Sequence, residues 1–143
     1  MKQLLRAGGL ATAICCLAAG IQTVAAHHST SMFDSTKTYT IKGTVRELRW
    51  VNPHATITVT GTVEGKEAQE PETWLLEMTS PGNLTRAGGW TRNAVKPGDQ
   101  VVVQFNPLQN ADNKGGSLKK LTLFSSGQVF TSNIREQERP GLE

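Results

Sequence analysis

Three features of the 143-residue sequence predict an all-β fold. Apolar and polar residues alternate over several short stretches, the pattern of strands with one buried face. β-Branched residues crowd those stretches, and Asn-Pro, Gly-Gly and Pro-Gly pairs punctuate them as turns and stops.

The first strand is expected over residues 38–50. Tyr39, Ile41, Gly43 and Val45 share one face and Thr40, Lys42, Thr44 and Arg46 the other. The apolar phase then slips to Leu48 and Trp50, which predicts a bulge, and the interior Gly43 predicts a sharp bend with close backbone approach. Asn52-Pro53 ends the strand, since Pro53 has no N–H for a ladder. A second strand follows over residues 55–63, with Ile57, Val59 and Val63 alternating against threonines. After a polar loop, residues 73–78 form a third strand. It places Trp74, Leu76 and Met78 inward, and Glu77, of opposite parity, as a solvated or ion-paired residue. Ser80-Pro81 is a helix start, a serine cap followed by proline at the first helical position. Gly88-Gly89 stops that helix, leaving residues 81–87, and Trp90 is expected to pack back on a barrel end. Lys96-Pro97-Gly98-Asp99 is a turn. A fourth strand covers residues 100–105, a polar loop 106–116, a fifth strand 118–124 and a short sixth 128–131.

Three strands, a short helix and two further strands are the order of an oligonucleotide/oligosaccharide-binding (OB) barrel. An immunoglobulin-like sandwich would want about seven strands and no helix in the middle. The prediction is therefore a small OB-like barrel of five to six strands, with one short helix between strands three and four. It occupies residues 38–131, after an N-terminal segment 27–37 and before a flexible, charged tail 132–143.

Residues 1–26 read as a secretory signal peptide. Lys2 and Arg6 form a basic start, residues 7–20 an apolar and small-residue run, and Val24-Ala25-Ala26 a small-x-small cleavage site. The apolar run is too short for a spanning helix, which needs about 20 residues. The expected location is periplasmic or secreted, with no membrane span in the mature protein. Cys15 and Cys16 are the only cysteines, and both leave with the leader. So do Lys2 and Arg6, so 13 basic side chains face 12 acidic ones, a net charge of +1. That balance argues against a nucleic-acid partner.

Cleavage after Ala26 would expose His27 as the terminal residue, followed by His28. A terminal amine beside an imidazole chelates Cu(II) well, because nitrogen donors suit copper. His27 and His28 are therefore candidate metal ligands with copper as the expected cofactor, and His54 is the candidate third donor. Cleavage one residue earlier would put a histidine third, and the amine, amides and imidazole would then form a square-planar chelate. For a shared site, residues 29–37 would fold the terminus back along the first strand, with Met32 and Phe33 burying against the barrel. Trp50, Asn52 and His54 mark the corner between strands one and two, where Trp50 and Asn52 are candidate ligand-binding residues. The structural alternative is a turn closing the barrel end. The competing function is a non-catalytic cell-envelope module binding a glycan or protein partner. No residue is assigned as catalytic: there is no mature cysteine, no Gly-x-Ser-x-Gly, no carboxylate pair at motif spacing and no phosphate-binding loop.

His27-His28-Ser29, Met32-Phe33-Asp34, Gly43-Thr44-Val45, Trp50-Val51-Asn52-Pro53-His54, Trp74-x-x-Glu77, Ser80-Pro81 with Leu84 and Arg86, Gly89-Trp90 and Lys96-Pro97-Gly98-Asp99 carry a resemblance. Together they resemble DUF6152, a family of exported bacterial proteins of unknown function. The resemblance covers nearly all of the mature chain and implies an exported small β-protein. It implies no activity, substrate or catalytic residue.

Overall fold

A computed structural model describes residues 32–132 apart from 68 and 111. The expected leader, His27, His28 and the tail from residue 133 lie outside the described residues. Six strands and one helix follow in the order β1 (Tyr39–Arg49), β2 (Thr56–Val63), β3 (Glu72–Glu77), α1 (Pro81–Ala87), β4 (Gln100–Pro107), β5 (Gly115–Leu123) and β6 (Val129–Thr131). The sheet order is β3-β2-β1-β4-β5-β6, and β3 also pairs with β5. That last pairing is parallel and closes β1 to β5 into a mixed barrel, while β6 extends β5 as an antiparallel hairpin. The closed order β1-β2-β3-β5-β4, with the helix between β3 and β4, is that of an OB barrel. No helix among the described residues is long and apolar enough to cross a membrane.

The expected irregularities of β1 are present. Its register with β2 shifts between Val45 and Glu47, which absorbs Arg46 as a bulge and accounts for the slipped apolar phase. Gly43 faces Gly61 across that pair. A Cβ on Gly43 would stand 2.4 Å from the Thr60 carbonyl oxygen, and one on Gly61 2.4 Å from that of Lys42. The two strands cross so closely that only glycine fits on either side. The bent β1 pairs with β2 on both sides of the bulge and with β4 only through residues 39–44.

One expectation needs correction. The predicted loop 106–116 is shorter, because Asn106 and Pro107 pair with Ser117 and Gly116. Gly115 and Gly116 belong to β5 and lie against Leu75 and Leu76 of β3. A side chain on Gly116 would meet the Asn106 carbonyl oxygen and the Phe105 ring, both at 2.4 Å. These glycines thus read as loop for a reason of packing.

Inward residues of all five barrel strands form one core, including Ile41, Val59, Leu76, Val103 and Leu121, all fully buried. Each contributes about 1.5–3 kcal/mol. The segment after β3 packs into the same core. Ser80 Oγ caps α1 by accepting from the Asn83 amide at 3.4 Å, and Leu84 and Trp90 are fully buried. Trp90 tilts against Phe130 of β6, 4.9 Å between ring centroids, and its indole N–H donates to the Thr131 carbonyl at 2.8 Å. α1 therefore sits where β3 ends and β4 begins. The opposite end of the barrel is bounded by the starts of β1, β3 and β5 and the end of β4.

Candidate functional site

The corner singled out in the sequence lies between β1 and β2. Trp50 is half-buried and packs against the core, and Asn52 is exposed and joined to Pro53 by a cis peptide bond. His54 is half-buried, with Nδ1 on the Glu77 carboxylate. Glu77 has the outward parity expected of it, between buried Leu76 and Met78, and its carboxylate meets the His54 ring. Backbone bonds hold the pair in place, since Ala55 exchanges hydrogen bonds with Met78 and Thr79 at 2.9 and 3.1 Å. Metal-binding histidines are commonly oriented by such a carboxylate. Among the described residues no group of three or more His, Cys, Asp or Glu side chains is arranged to hold a metal ion.

The structure gathers Trp50, Asn52 and His54 at one corner but anchors the described N-terminal segment elsewhere. The Asp34 amide donates to the Pro107 carbonyl at 2.8 Å, the Gln109 amide donates to the Met32 carbonyl at 2.9 Å, and Phe33 bridges Leu108. Residues 32–34 thus lie at the Tyr39 end of β1, whereas His54 follows its Arg49 end. Phe33 is half-buried as expected. Met32 is 44% exposed, so backbone hydrogen bonds rather than its side chain fasten the segment. Asp34 accepts from the Thr36 hydroxyl at 2.5 Å and pairs with Lys37 at 2.9 Å. The hydroxyl first, and then Lys37, bring its carboxyl down to about 2.

A second place, absent from the sequence reading, is the open end of the barrel. A cavity of about 100 Å³ there is walled by Tyr39, Glu72, Trp74 and Pro107 and edged by Lys37, Lys66 and Lys114 and by Gln109 and Asn113. Trp74, only 4% exposed, lines it and packs on Phe105 at 5.2 Å and an edge-on Tyr39 at 6.4 Å. Lys114 Nζ lies 5.3 Å from the Trp74 ring centroid and 2.9 Å from a Glu72 oxygen. Trp74 Nε1 is buried and, among the described residues, has no hydrogen-bond partner. Such an orphan donor costs about 1–3 kcal/mol, and it belongs to a residue that lines the mouth. The three lysines come from three separate segments: β1–β2 pairing puts Lys37 and Lys66 at one end of the sheet, and closure through β3–β5 brings Lys114 to Glu72 and Trp74. The inward parity of Trp74 was readable, but its unpaired N–H was not.

No curated protein matches the chain. A solved structure with some likeness is the mitochondrial single-stranded DNA binding protein Rim1 from S. cerevisiae, at 10% identity and a TM-score of 0.45, covering 62% of this chain and 93% of that one. A likeness of that size carries no argument about this chain, whose OB strand order stands on its own pairings. A profile described as "Family of unknown function (DUF6152)" matches residues 13–117. That match spans well over half of the sequence, and the chain belongs to the DUF6152 family.

Proposed function

We propose that the protein is an exported, non-catalytic binding module that takes an end group of a cell-envelope glycan into the open mouth of its barrel. The observation that carries this reading is the mouth itself, one small cavity lined by three lysines, two side-chain amides and Trp74. Ligand sites combine a few well-placed polar groups with a preformed concave wall. A cavity of about 150 Å³ holds one benzene, so about 100 Å³ accepts a pendant group or part of one sugar ring, not a length of chain. Hydrogen bonds and charge would carry recognition. Stacking would not, because Trp74 and Trp90 are 4% and 0% exposed and offer no platform. The leader over residues 1–26 supports export. The test is calorimetric titration of the processed protein with soluble envelope-glycan fragments, beside the Gln109→Ala and Asn113→Ala variants. At least tenfold weaker binding by a variant is expected, and no binding, or equal binding by all three, would sink the reading.

A second reading is copper chelation by His27 and His28 at the processed terminus, with His54 as third donor. It is favoured by the Glu77 carboxylate on His54 Nδ1, the orientation that metal-binding histidines use. Reach opposes the third donor. Five residue steps from Met32 cover at most about 18 Å, whereas an 11-residue strand such as β1 runs roughly 35 Å if straight. Cu(II) titration of the processed protein, of the same protein with an added N-terminal methionine, and of His54→Ala separates the cases. Equal weak binding by all three removes copper. Loss only on methionine addition leaves a chelate of His27 and His28 alone.

A further inference from the structure

We propose that the group accepted by the mouth is anionic, a carboxylate or phosphate borne on a sugar, held by the Trp74 indole N–H and the Lys66 and Lys114 ammonium groups. This inference rests on the binding reading above and specifies its ligand.

The donor inventory leads there. An indole N–H and an ammonium group donate hydrogen bonds and accept none. Three lysines line the cavity against one carboxylate, that of Glu72. Glu72 is committed to Lys114 at 2.9 Å, and Asp34 outside the lining is committed to Lys37 at 2.9 Å. Lys66 forms no salt bridge with any described residue, so the mouth keeps a surplus positive charge. In the adjoining loop the Glu67 carboxylate is taken by the Gly65 amide at 2.8 Å. The buried Trp74 N–H stands without an acceptor among the described residues. Lys114 over the face of the same ring draws on its π electrons, which makes the N–H edge a stronger donor. A neutral sugar could exchange hydrogen bonds with Tyr39, Gln109 and Asn113, which both donate and accept, but it would leave the surplus ammonium charge unanswered. The oxygens of a carboxylate or phosphate accept, which suits the ammonium groups and the indole N–H. Charge-assisted hydrogen bonds of this kind are about twice as strong as neutral ones.

The test reads the Trp74 indole N–H resonance in ¹H–¹⁵N spectra of the processed protein, assigned with Trp50→Phe and Trp90→Phe. The probes are glucuronate, glucose 6-phosphate, glucose, acetate and inorganic phosphate, at constant ionic strength. A saturable shift of that resonance with glucuronate or glucose 6-phosphate, absent with glucose, is expected. The two arms identify the carboxylate or the phosphate as the group bound. Lys66 is exposed, so Lys66→Gln should fold normally and weaken that binding at least fivefold. An equal response to glucose, or no effect of Lys66→Gln, overturns the anion while leaving the glycan reading intact. Equal responses to acetate or inorganic phosphate and to the sugars overturn the sugar part. Silence towards every probe, together with no binding of envelope fragments, overturns both.

Discussion

Replacing Gly61 by alanine places a methyl group where β1 and β2 leave no room for one. The new Cβ would lie 2.4 Å from the Lys42 carbonyl oxygen, 2.6 Å from the Gly43 Cα and 2.7 Å from an Ile41 methyl. Ordinary contact begins at 3.4 Å, so the strands must part by about 1 Å, and two of the three obstacles are backbone that cannot rotate aside. Parting the strands weakens the ladder bonds around the Gly43–Gly61 and Lys42–Thr62 pairs, each worth about 1 kcal/mol. It also loosens the core beneath Ile41. Overpacking of this kind costs about 1–3 kcal/mol, and the backbone obstacles put Gly61→Ala at the upper end, roughly 2–3 kcal/mol. In a domain of about 100 residues that lowers the melting temperature by roughly 8–20 °C. Scanning calorimetry of the processed protein measures it, with Gly82→Ala as the reference. Gly82 lies in α1 with nothing within 4 Å of its would-be Cβ, so alanine there should be neutral or stabilising by up to about 1 kcal/mol. A Gly61→Ala variant melting within 2 °C of the parent, or no lower than Gly82→Ala, would refute the close crossing on which the bent β1 depends.

Trp90→Phe removes the indole donor to Thr131 and part of the contact with Phe130. A loss of about 1–3 kcal/mol is expected, read as a lower urea midpoint with unchanged slope. Ser80→Ala removes the cap of α1 and should cost about 0.5–1 kcal/mol in the same assay. Asp34 has a folded pKa lowered from 3.8 to about 2, so its contribution to stability is complete above the ordinary carboxylate range and fades as pH falls towards 2. Carboxyl NMR titration should show that value rising more in Thr36→Val than in Lys37→Ala, since the Thr36 hydroxyl is the larger cause.

Strand number, strand order and the helix were legible because each rests on local chemistry. Alternation marked the buried faces, Asn52-Pro53 broke β1, and Ser80-Pro81 and Gly88-Gly89 bracketed α1 at the observed residues. The bulge in β1 was legible too, since an extra residue necessarily shifts the parity of everything after it. Gly61, Gly115 and Gly116 were not. Their need for a bare Cα comes from strands that approach from elsewhere in the chain, and no neighbour in sequence records it. The site divides in the same way. Trp50, Asn52 and His54 are neighbours in sequence and share one corner, while the pairing of His54 with Glu77 depends on the β2–β3 register. Lys114 joins Lys37 and Lys66 around one cavity only through strand pairings distant in sequence.

That closure is held by three residue pairs, Leu75–Gly115, Leu76–Gly116 and Glu77–Ser117, joining positions 40 apart in the chain. One further bond, from the Leu75 amide to the Lys114 carbonyl at 3.1 Å, continues the line outward. Parallel pairing is slightly weaker per residue than antiparallel, and a contact over so long a loop repays its entropy only after the hairpins on either side exist. The seam is therefore expected to form after the hairpins and to open more readily than the β1–β2 ladder, and amide exchange of its three pairs is the measurement that checks it. Trp74 stands at one side of the seam and Lys114 at the other, so whatever bridges them from outside acts as its clasp.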